Sequence, residues 1–139
     1  MQIPKKCIEE TNDPIKSPSE KGKSITIKNP TRKTVRLIQI DDCAITKGER
    51  CDMLIEVDCR NIALFVEFKG GDIKHAISQL RTTICSLNQR VSKKEKIAVV
   101  IAGKTNPSIK TYIQKAKAEF KTKLKTKLLM GSKVSEHHL

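Results

Sequence analysis

Aromatic residues are scarce in this chain: it has no tryptophan, one tyrosine and three phenylalanines, which together make up 3% of its 139 residues. We therefore expect an aliphatic core, and we do not expect bases to be held by stacking on aromatic rings. Long apolar runs are also missing, since the longest, Ile97 to Ala102, is too short to span a bilayer. The first ten residues contain no apolar stretch of signal-peptide length. These absences predict an intracellular protein without a membrane partner.

Paired cysteine motifs are missing as well. The five cysteines are an odd number without C-x-x-C spacing, and they are Cys7, Cys43, Cys51, Cys59 and Cys85. This pattern favours reduced thiols over a disulfide framework or a structural zinc site. We expect these residues to act as small apolar side chains in or near the core.

Negative charge is in short supply, because 15 Asp and Glu stand against 28 Lys and Arg, giving a formal net charge of +13. A chain this basic favours a polyanionic partner, and nucleic acid is the first candidate. Residues 104–133 contain nine lysines and one acidic residue, Glu119, so this stretch can form a surface that follows a phosphate backbone. The alternative is a solvated helix face whose lysines keep the protein in solution.

The chain length fits one domain with a substantial core and is too short for two ordinary domains. Residues 1–22 contain three prolines and no sustained apolar period, which predicts a flexible N-terminal arm. Residues 23–130 are expected to form the domain, and residues 131–139 a loose C-terminal tail.

Alternating and branched apolar patterns predict five strands, at about 24–28, 35–41, 51–58, 62–69 and 97–102. Apolar steps of three and four predict helices over 73–91, capped by Asp72, and over 109–124, with Thr105 or Asn106 near its start. The first two strands are expected to pair as a hairpin, and so are the third and fourth. The predicted fold class is α/β (α+β), with a central mixed β-sheet flanked by helices.

The third and fourth strands bring together the residues of a candidate site. If the chain turns symmetrically about Cys59 and Arg60, Asp52 lies opposite Glu67, and opposed Cβ atoms in a sheet are about 4.5 to 5.5 Å apart. Lys69 follows Glu67 by two residues and therefore projects from the same side of the sheet. An odd number of loop residues would shift this register and separate the groups.

Two carboxylates that face each other repel, and a bound cation would neutralise that repulsion. Oxygen ligands of this kind suit Mg²⁺ or Mn²⁺, which keep several waters and recruit phosphate oxygens. Asp52 and Glu67 are the expected metal ligands, and Lys69 would position an attacking water or stabilise the transition state. The alternative is an ordinary hairpin whose three charged residues form a surface ion-pair cluster worth about 1 kcal/mol or less.

The same register sorts the apolar residues of the hairpin onto two faces. Leu54 and Phe65 share the side of the two carboxylates. The reverse side carries a cleaner apolar set, which consists of Met53, Ile55, Val57, Leu64 and Val66. We expect the reverse side to take the main helix packing, because it offers the more continuous apolar surface.

Asp52, followed at the end of the next strand by Glu67, Phe68 and Lys69, resembles the signature of the PD-(D/E)XK nuclease superfamily. The resemblance covers roughly residues 34–102. It implies a restriction-endonuclease-like fold and a Mg²⁺- or Mn²⁺-dependent nuclease that hydrolyses phosphodiester bonds, with a DNA endonuclease as the expected form. Asp52, Glu67 and Lys69 would be its catalytic residues. A catalytically inactive nucleic-acid-binding or partner-binding module of the same fold is the alternative.

Gln79, on the helix after the site, resembles the glutamine of a Q-x-x-x-Y element in some branches, so the resemblance carries it over as a catalytic residue. Thr83 stands where those branches have tyrosine. Many members add an acidic residue on a first helix that this chain is not predicted to have. Glu9, Glu10 and Glu20 are not assigned that role, and Asp41 or Asp42 could be the extra acid instead or a strand-end or turn residue. Double-strand cleavage from one site per chain would require a homodimer or two successive nicks. Such a nuclease would be cytoplasmic or nucleoid-associated.

Overall fold

The computed structural model describes residues 2–20, 22–69, 71–103, 106–131 and 134–138. Within these ranges the chain forms ten β-strands and three α-helices. The strands are β1 (Ile8–Thr11), β2 (Ile15–Lys16), β3 (Ser19–Glu20), β4 (Lys23–Lys28), β5 (Val35–Gln39), β6 (Met53–Val57), β7 (Ile62–Lys69), β8 (Glu95–Ala102), β9 (Thr126–Gly131) and β10 (Val134–His138). The α-helices are α1 (Ile73–Ser86), α2 (Asn88–Val91) and α3 (Lys110–Lys123).

Six strands form the central sheet, in the spatial order β1, β5, β6, β7, β8 and β9. Neighbours from β1 to β7 are antiparallel, whereas β7, β8 and β9 are parallel. The parallel half is built by crossover connections, in which α1 and α2 link β7 to β8 and α3 links β8 to β9. The protein is thus mixed α/β, with a central mixed sheet flanked by helices, as the sequence predicted.

Helix α1 begins at a cap that its sequence provides. Oδ1 of Asp72 accepts a hydrogen bond from the backbone N of His75 at 3.0 Å, which satisfies one of the free amides at the helix start. The buried residues of α1 recur at steps of three and four, and include Ile73, Ile77, Leu80 and Ile84. The single helix predicted to reach residue 91 is divided, because α1 ends at Ser86 and α2 follows after Leu87.

Helix α3 follows a 3₁₀ turn, Pro107–Ile109, that Asn106 caps by accepting a hydrogen bond from the backbone N of Ser108 at 3.0 Å. Thr105, the other predicted cap, lies outside the described residues. The helix buries its apolar side through Ile113, Ala116 and Phe120. Among the described residues, no helix combines the length and apolar character needed to cross a membrane.

The two faces of the central sheet are covered differently. Helices α1 and α3 pack on the face that carries Leu54 and Phe65, which is also the face of Glu67. The prediction that the helices cover the reverse face is therefore wrong. That face packs against Ile25 and Ile27 of β4. Any apolar layer can bury a continuous apolar face, and here a strand distant in the sequence supplies it.

A second, smaller sheet is centred on β4, which pairs in parallel with β10 and antiparallel with β2 and β3. The predicted hairpin of the first two strand patterns is wrong, since β5 pairs with β1 and β6 rather than with β4. Between β4 and β5 the side chain of Asn29 accepts a hydrogen bond from Lys33 N at 3.0 Å and donates one to Lys33 O at 2.7 Å. This loop leads the chain from one sheet to the other.

Regular structure extends into both segments that were predicted to lack it. Residues 1–22, the predicted arm, contribute β1 to the central sheet and β2 and β3 to the second sheet. Residues 131–139, the predicted tail, contain β10, while residues 132–133 and 139 lie outside the described part. Short polar edge strands have little apolar period, so their sequence alone does not reveal them.

Cys7 and Cys43 form a disulfide, so the prediction that all five cysteines are reduced is wrong for this pair. Cys7 precedes β1 and Cys43 follows β5, and the antiparallel pairing of these strands brings the two residues together across 36 positions of sequence. Cys51 is buried as expected, whereas Cys59 and Cys85 are exposed. Disulfides are more typical of oxidising compartments than of the cytosol, which weighs against the predicted intracellular location.

Candidate functional site

The candidate site lies at the end of the hairpin formed by β6 and β7. The paired residues of these strands have the register predicted from the sequence, beginning with Met53 opposite Val66. If this register continued by one residue, Asp52 would lie opposite Glu67. The chain can turn in this register because Asn61 adopts the left-handed conformation, with φ of 55°, after a 3₁₀ turn.

Asp52 is 6% exposed, and its carboxylate is hydrogen-bonded to the neighbouring strand. Its Oδ2 accepts a hydrogen bond from the backbone N of Phe68 at 2.8 Å. Such a bond stabilises a buried carboxylate because it replaces part of the lost hydration. It also fixes the position of Asp52 relative to the strand that carries Glu67 and Lys69.

Glu67 is buried more deeply, with 1% of the residue exposed. It lies on β7 opposite Val100 of the parallel strand β8. Nζ of Lys69 is 3.9 Å from Oε2 of Glu67, so the lysine places a positive charge beside this buried carboxylate. The attraction offsets part of the free energy that burial of the carboxylate costs.

Gln79 of α1 joins Lys69 to the segment that precedes β6. Its Oε1 accepts a hydrogen bond from Nζ of Lys69 at 3.1 Å, and its Nε2 donates one to the backbone O of Arg50 at 3.1 Å. One amide side chain thus spans the two parts of the chain that carry the predicted site residues. The structure brings Gln79 to Lys69, as a site built from both would require.

Thr83, one helical turn after Gln79, has a role that sequence analysis missed. Its Oγ1 donates to Gln79 O and accepts from Cys51 N, both at 2.8 Å. The fully buried threonine therefore fixes the residue immediately before Asp52. Burial raises the pKa of the Cys51 thiol, and the nearby charges of Glu67 and Asp52 add to the rise, so this thiol is protonated at neutral pH.

Three carboxylates approach one another around Asp52. One oxygen each from Glu20, Asp41 and Asp52 lies within 4.8 Å of the others, and Glu67 is not part of this set within the described residues. We call these three residues the acid group. Asp41 also accepts a hydrogen bond at its Oδ1 from Nε of Arg50 at 2.8 Å. The sequence left Asp41 open as a further acid, but no local pattern pointed to Glu20.

Two clefts reach the acid group. One, of about 500 Å³, is lined by all three members of the group and by Lys6 and Lys16. The other, of about 260 Å³, is lined by Asp41, Arg50 and Gln79 and therefore lies on the α1 side. Asp41 lines both clefts. The 500 Å³ cleft also contains Glu9, which pairs with Lys16 at 2.7 Å, so its four carboxylates outnumber its two lysines and favour a cation over an anion.

The donor atoms at this end of the sheet fit a hard divalent cation. Carboxylate oxygens are the ligands that Mg²⁺ and Mn²⁺ prefer, and oxygens within 4.8 Å of one another can share one ion. Asp52 and Glu67, the pair predicted from the sequence, each lie one residue beyond the terminal pair of the hairpin, Met53 and Val66. The oxygens grouped with Asp52, however, come from Glu20 and Asp41.

No family model, no curated protein and no solved structure matches this chain. No relative therefore assigns a role to any residue of the site. A function has to be argued from the position of Asp52 and Glu67 on the hairpin, from the contacts of Lys69 and Gln79, and from the charge of the protein.

Proposed function

We propose that the protein is a metal-dependent nuclease with a restriction-endonuclease-like fold that hydrolyses phosphodiester bonds in DNA. The observation that supports the proposal is the hairpin, in which Met53 pairs with Val66, so that Asp52 and Glu67 are the next residues on the two sides. Lys69 lies beside Glu67 and is held by Gln79 from α1. These residues follow one another in the order of the PD-(D/E)XK signature. The formal net charge of +13 supports a polyanionic substrate.

In this proposal Asp52 and Glu67 hold Mg²⁺ or Mn²⁺, and Asp41 and Glu20 are further oxygen donors. Oδ1 of Asp52 is the natural donor, because Oδ2 accepts the hydrogen bond from Phe68 N. When bound, such an ion lowers the pKa of a coordinated water and offsets charge on a phosphate. It would also relieve the repulsion between the carboxylates of the acid group.

The reaction is hydrolysis by direct attack of water on phosphorus. The water loses a proton as its oxygen bonds to phosphorus, and the leaving oxygen gains one as its own bond to phosphorus breaks. Lys69 would stabilise the negative charge that develops on the phosphate in the transition state. Gln79 is a positioning residue, since its amide holds the ammonium group of Lys69.

Isosteric replacement of the two carboxylates tests the proposal. Asp52→Asn and Glu67→Gln should each abolish Mg²⁺-dependent cleavage of plasmid DNA, and both should keep metal-free DNA binding. Asp13→Asn, which changes an exposed acid outside the site, is the matched control and should cleave at the wild-type rate. Cleavage at that same rate by both site variants would reject the assignment.

A catalytically inactive nucleic-acid-binding module of the same fold is the second candidate. The observation that favours it is that an oxygen of Asp52 groups with those of Glu20 and Asp41, whereas Glu67 is outside this group and is buried next to Lys69. In this case the carboxylates serve the fold, and the protein binds DNA without turnover. Incubation with supercoiled, linear and single-stranded DNA over a range of Mg²⁺ and Mn²⁺ concentrations separates the candidates, because the module shifts DNA mobility without cutting.

A further inference from the structure

A second basic feature lies at the opposite end of the parallel strands, where α3 ends and β8 and β9 begin. A groove of about 610 Å³ opens there, and leucines of β9 form part of its wall. Five lysines line it, and we call it the lysine groove: Lys96, Lys117, Lys121, Lys125 and Lys127. Such a concentration of like charge disfavours folding unless counterions or an anionic ligand neutralise it.

Lys96 distinguishes this groove from an ordinary lysine-rich surface. The residue is 7% exposed, yet within the described residues its ammonium group makes no hydrogen bond and no ion pair. The buried part of Lys96 is its aliphatic stem, because the ammonium nitrogen keeps contact with solvent. Since Lys96 lines the groove, the partner that it lacks in the protein can reach it from there.

The other lysines of the groove are also poorly neutralised. Glu95 is the carboxylate that lines the groove among the residues that the structure describes, and it faces five ammonium groups. Lys125 donates a hydrogen bond to the backbone O of Thr122 at 3.1 Å, which places its charge at the C-terminal end of α3. Lys117 and Lys121 are one helical turn apart and line the groove from α3.

We infer that the lysine groove binds the phosphates of a nucleic acid backbone. Its distance from the candidate site determines which phosphates of the substrate it contacts. Lys96 pairs with Ala63 on β7, four residues before Glu67. At about 3.3 Å per residue this separation is on the order of 13 Å, or about four base pairs of B-form DNA. The inference rests on the proposed function, since it names a contact for the substrate of that site.

A matched pair of double variants tests the groove in the absence of metal. Lys117→Gln with Lys121→Gln removes two charges that line the groove, and Lys115→Gln with Lys123→Gln removes two exposed charges of the same helix outside it. The probe is a labelled 20-base-pair duplex, followed by fluorescence anisotropy at several salt concentrations. The plot of log affinity against log salt should become less steep by about 1.8 for the groove variant, at roughly 0.9 per phosphate contact. Equal slopes for the two variants would overturn the inference.

A single variant separates a binding role of Lys96 from a structural one. Lys96→Met keeps the length of the side chain and removes its charge. It should weaken duplex binding severalfold while the melting temperature stays close to that of the wild type, because the ammonium group makes no hydrogen bond or ion pair within the described residues. A lower melting temperature with unchanged binding would show that the ammonium group serves the fold, and would count against the groove.

Two further measurements fix the nature of the ligand. Vesicles containing anionic phospholipid should not bind with the same dependence on Lys117 and Lys121, and inorganic phosphate should displace the duplex at no better than millimolar concentration. Tight binding of either probe through these lysines would overturn the assignment to nucleic acid. A negative result for the lysine groove would not reject the nuclease proposal, because these assays contain no metal and measure no cleavage.

Discussion

Glu56→Gln should destabilise the protein strongly, because Glu56 is the centre of a charge network at the turn end of the hairpin. The residue is 1% exposed. Its Oε1 accepts hydrogen bonds from Arg36 Nε at 3.0 Å and Arg90 Nη2 at 2.8 Å, and its Oε2 accepts from Arg90 Nε at 2.9 Å and Lys94 Nζ at 3.3 Å. Arg36 and Lys94 also pair with Asp58. In the Glu56→Gln variant, the three cations of this network would be left with the carboxylate of Asp58 alone.

The protonation of both acids reflects this network. Burial alone would raise the pKa of Glu56, but the hydrogen bond from Arg90 and the charges of Arg90 and Lys94 hold that pKa below its usual value. The hydrogen bond from Arg36 lowers the pKa of Asp58 well below its usual range. Both acids are therefore charged at neutral pH.

The expected loss of unfolding free energy is about 3 kcal/mol, which is the lower end of the range for removing one partner of a buried ion pair. Domains of this size have total stabilities of roughly 5 to 15 kcal/mol, so the melting temperature should fall by about 10 °C. Urea unfolding followed by far-UV circular dichroism measures the change. Glu10→Gln, an exposed acid on β1, is the control and should stay within about 0.5 kcal/mol of the wild type. A loss for Glu56→Gln no larger than that of the control would refute the reasoning.

The remaining predictions concern pH, a buried hydroxyl and the disulfide. Because the folded state depresses the pKa of Glu56 and Asp58, their contribution to stability is present above the unfolded pKa of about 4 and is lost as pH falls through the lower folded values. Unfolding measured between pH 7 and pH 3 should show the onset of this loss below about pH 4, and Asp58→Asn should make it shallower. Thr83→Val keeps the side-chain volume but leaves a buried backbone amide without its acceptor, so chemical denaturation should report a loss of about 1 to 3 kcal/mol. Cys7→Ser should cost about 2 to 4 kcal/mol by removing the bond to Cys43, and a reductant should then have no further effect on the melting temperature.

Local patterns predicted those elements whose formation depends on neighbouring residues. The hairpin of β6 and β7 has the expected register, because its short turn leaves few alternative pairings. Helix α1 begins after the predicted cap, Asp72, and α3 covers most of its predicted range. In each case the information lies within about twenty consecutive residues.

Contacts between segments distant in the sequence could not be predicted in this way. The alternation in β4 identifies a strand, but it does not say whether its partner is β5 or the distant β10. The apolar residues on the reverse face of the hairpin predict that this face is buried, but they do not predict whether a helix or a sheet covers it. The bond between Cys7 and Cys43 depends on the pairing of β1 with β5, and these strands are separated by 23 residues of intervening chain.

The residues of the candidate site show the same difference between local and long-range information. Glu67 and Lys69 lie on one strand and are neighbours as their spacing predicted, and the contact of Gln79 with Lys69 comes from the helix that follows. Glu20 reaches Asp52 from the second sheet, through a packing of two sheets that no local pattern encodes. The approach of Glu20 to Asp52 was therefore not predicted, whereas the neighbours on the hairpin were.

The most direct test of the proposed function is a crystal of the protein soaked in Mn²⁺ and measured at a wavelength where manganese scatters anomalously. The proposal predicts one peak at about 2 Å from a carboxylate oxygen of Asp52 and from one of Glu67. A peak bound by Glu20, Asp41 and Asp52 with Glu67 uninvolved, or no peak at this end of the sheet, would contradict the assignment of Glu67 as a metal ligand and with it the nuclease site.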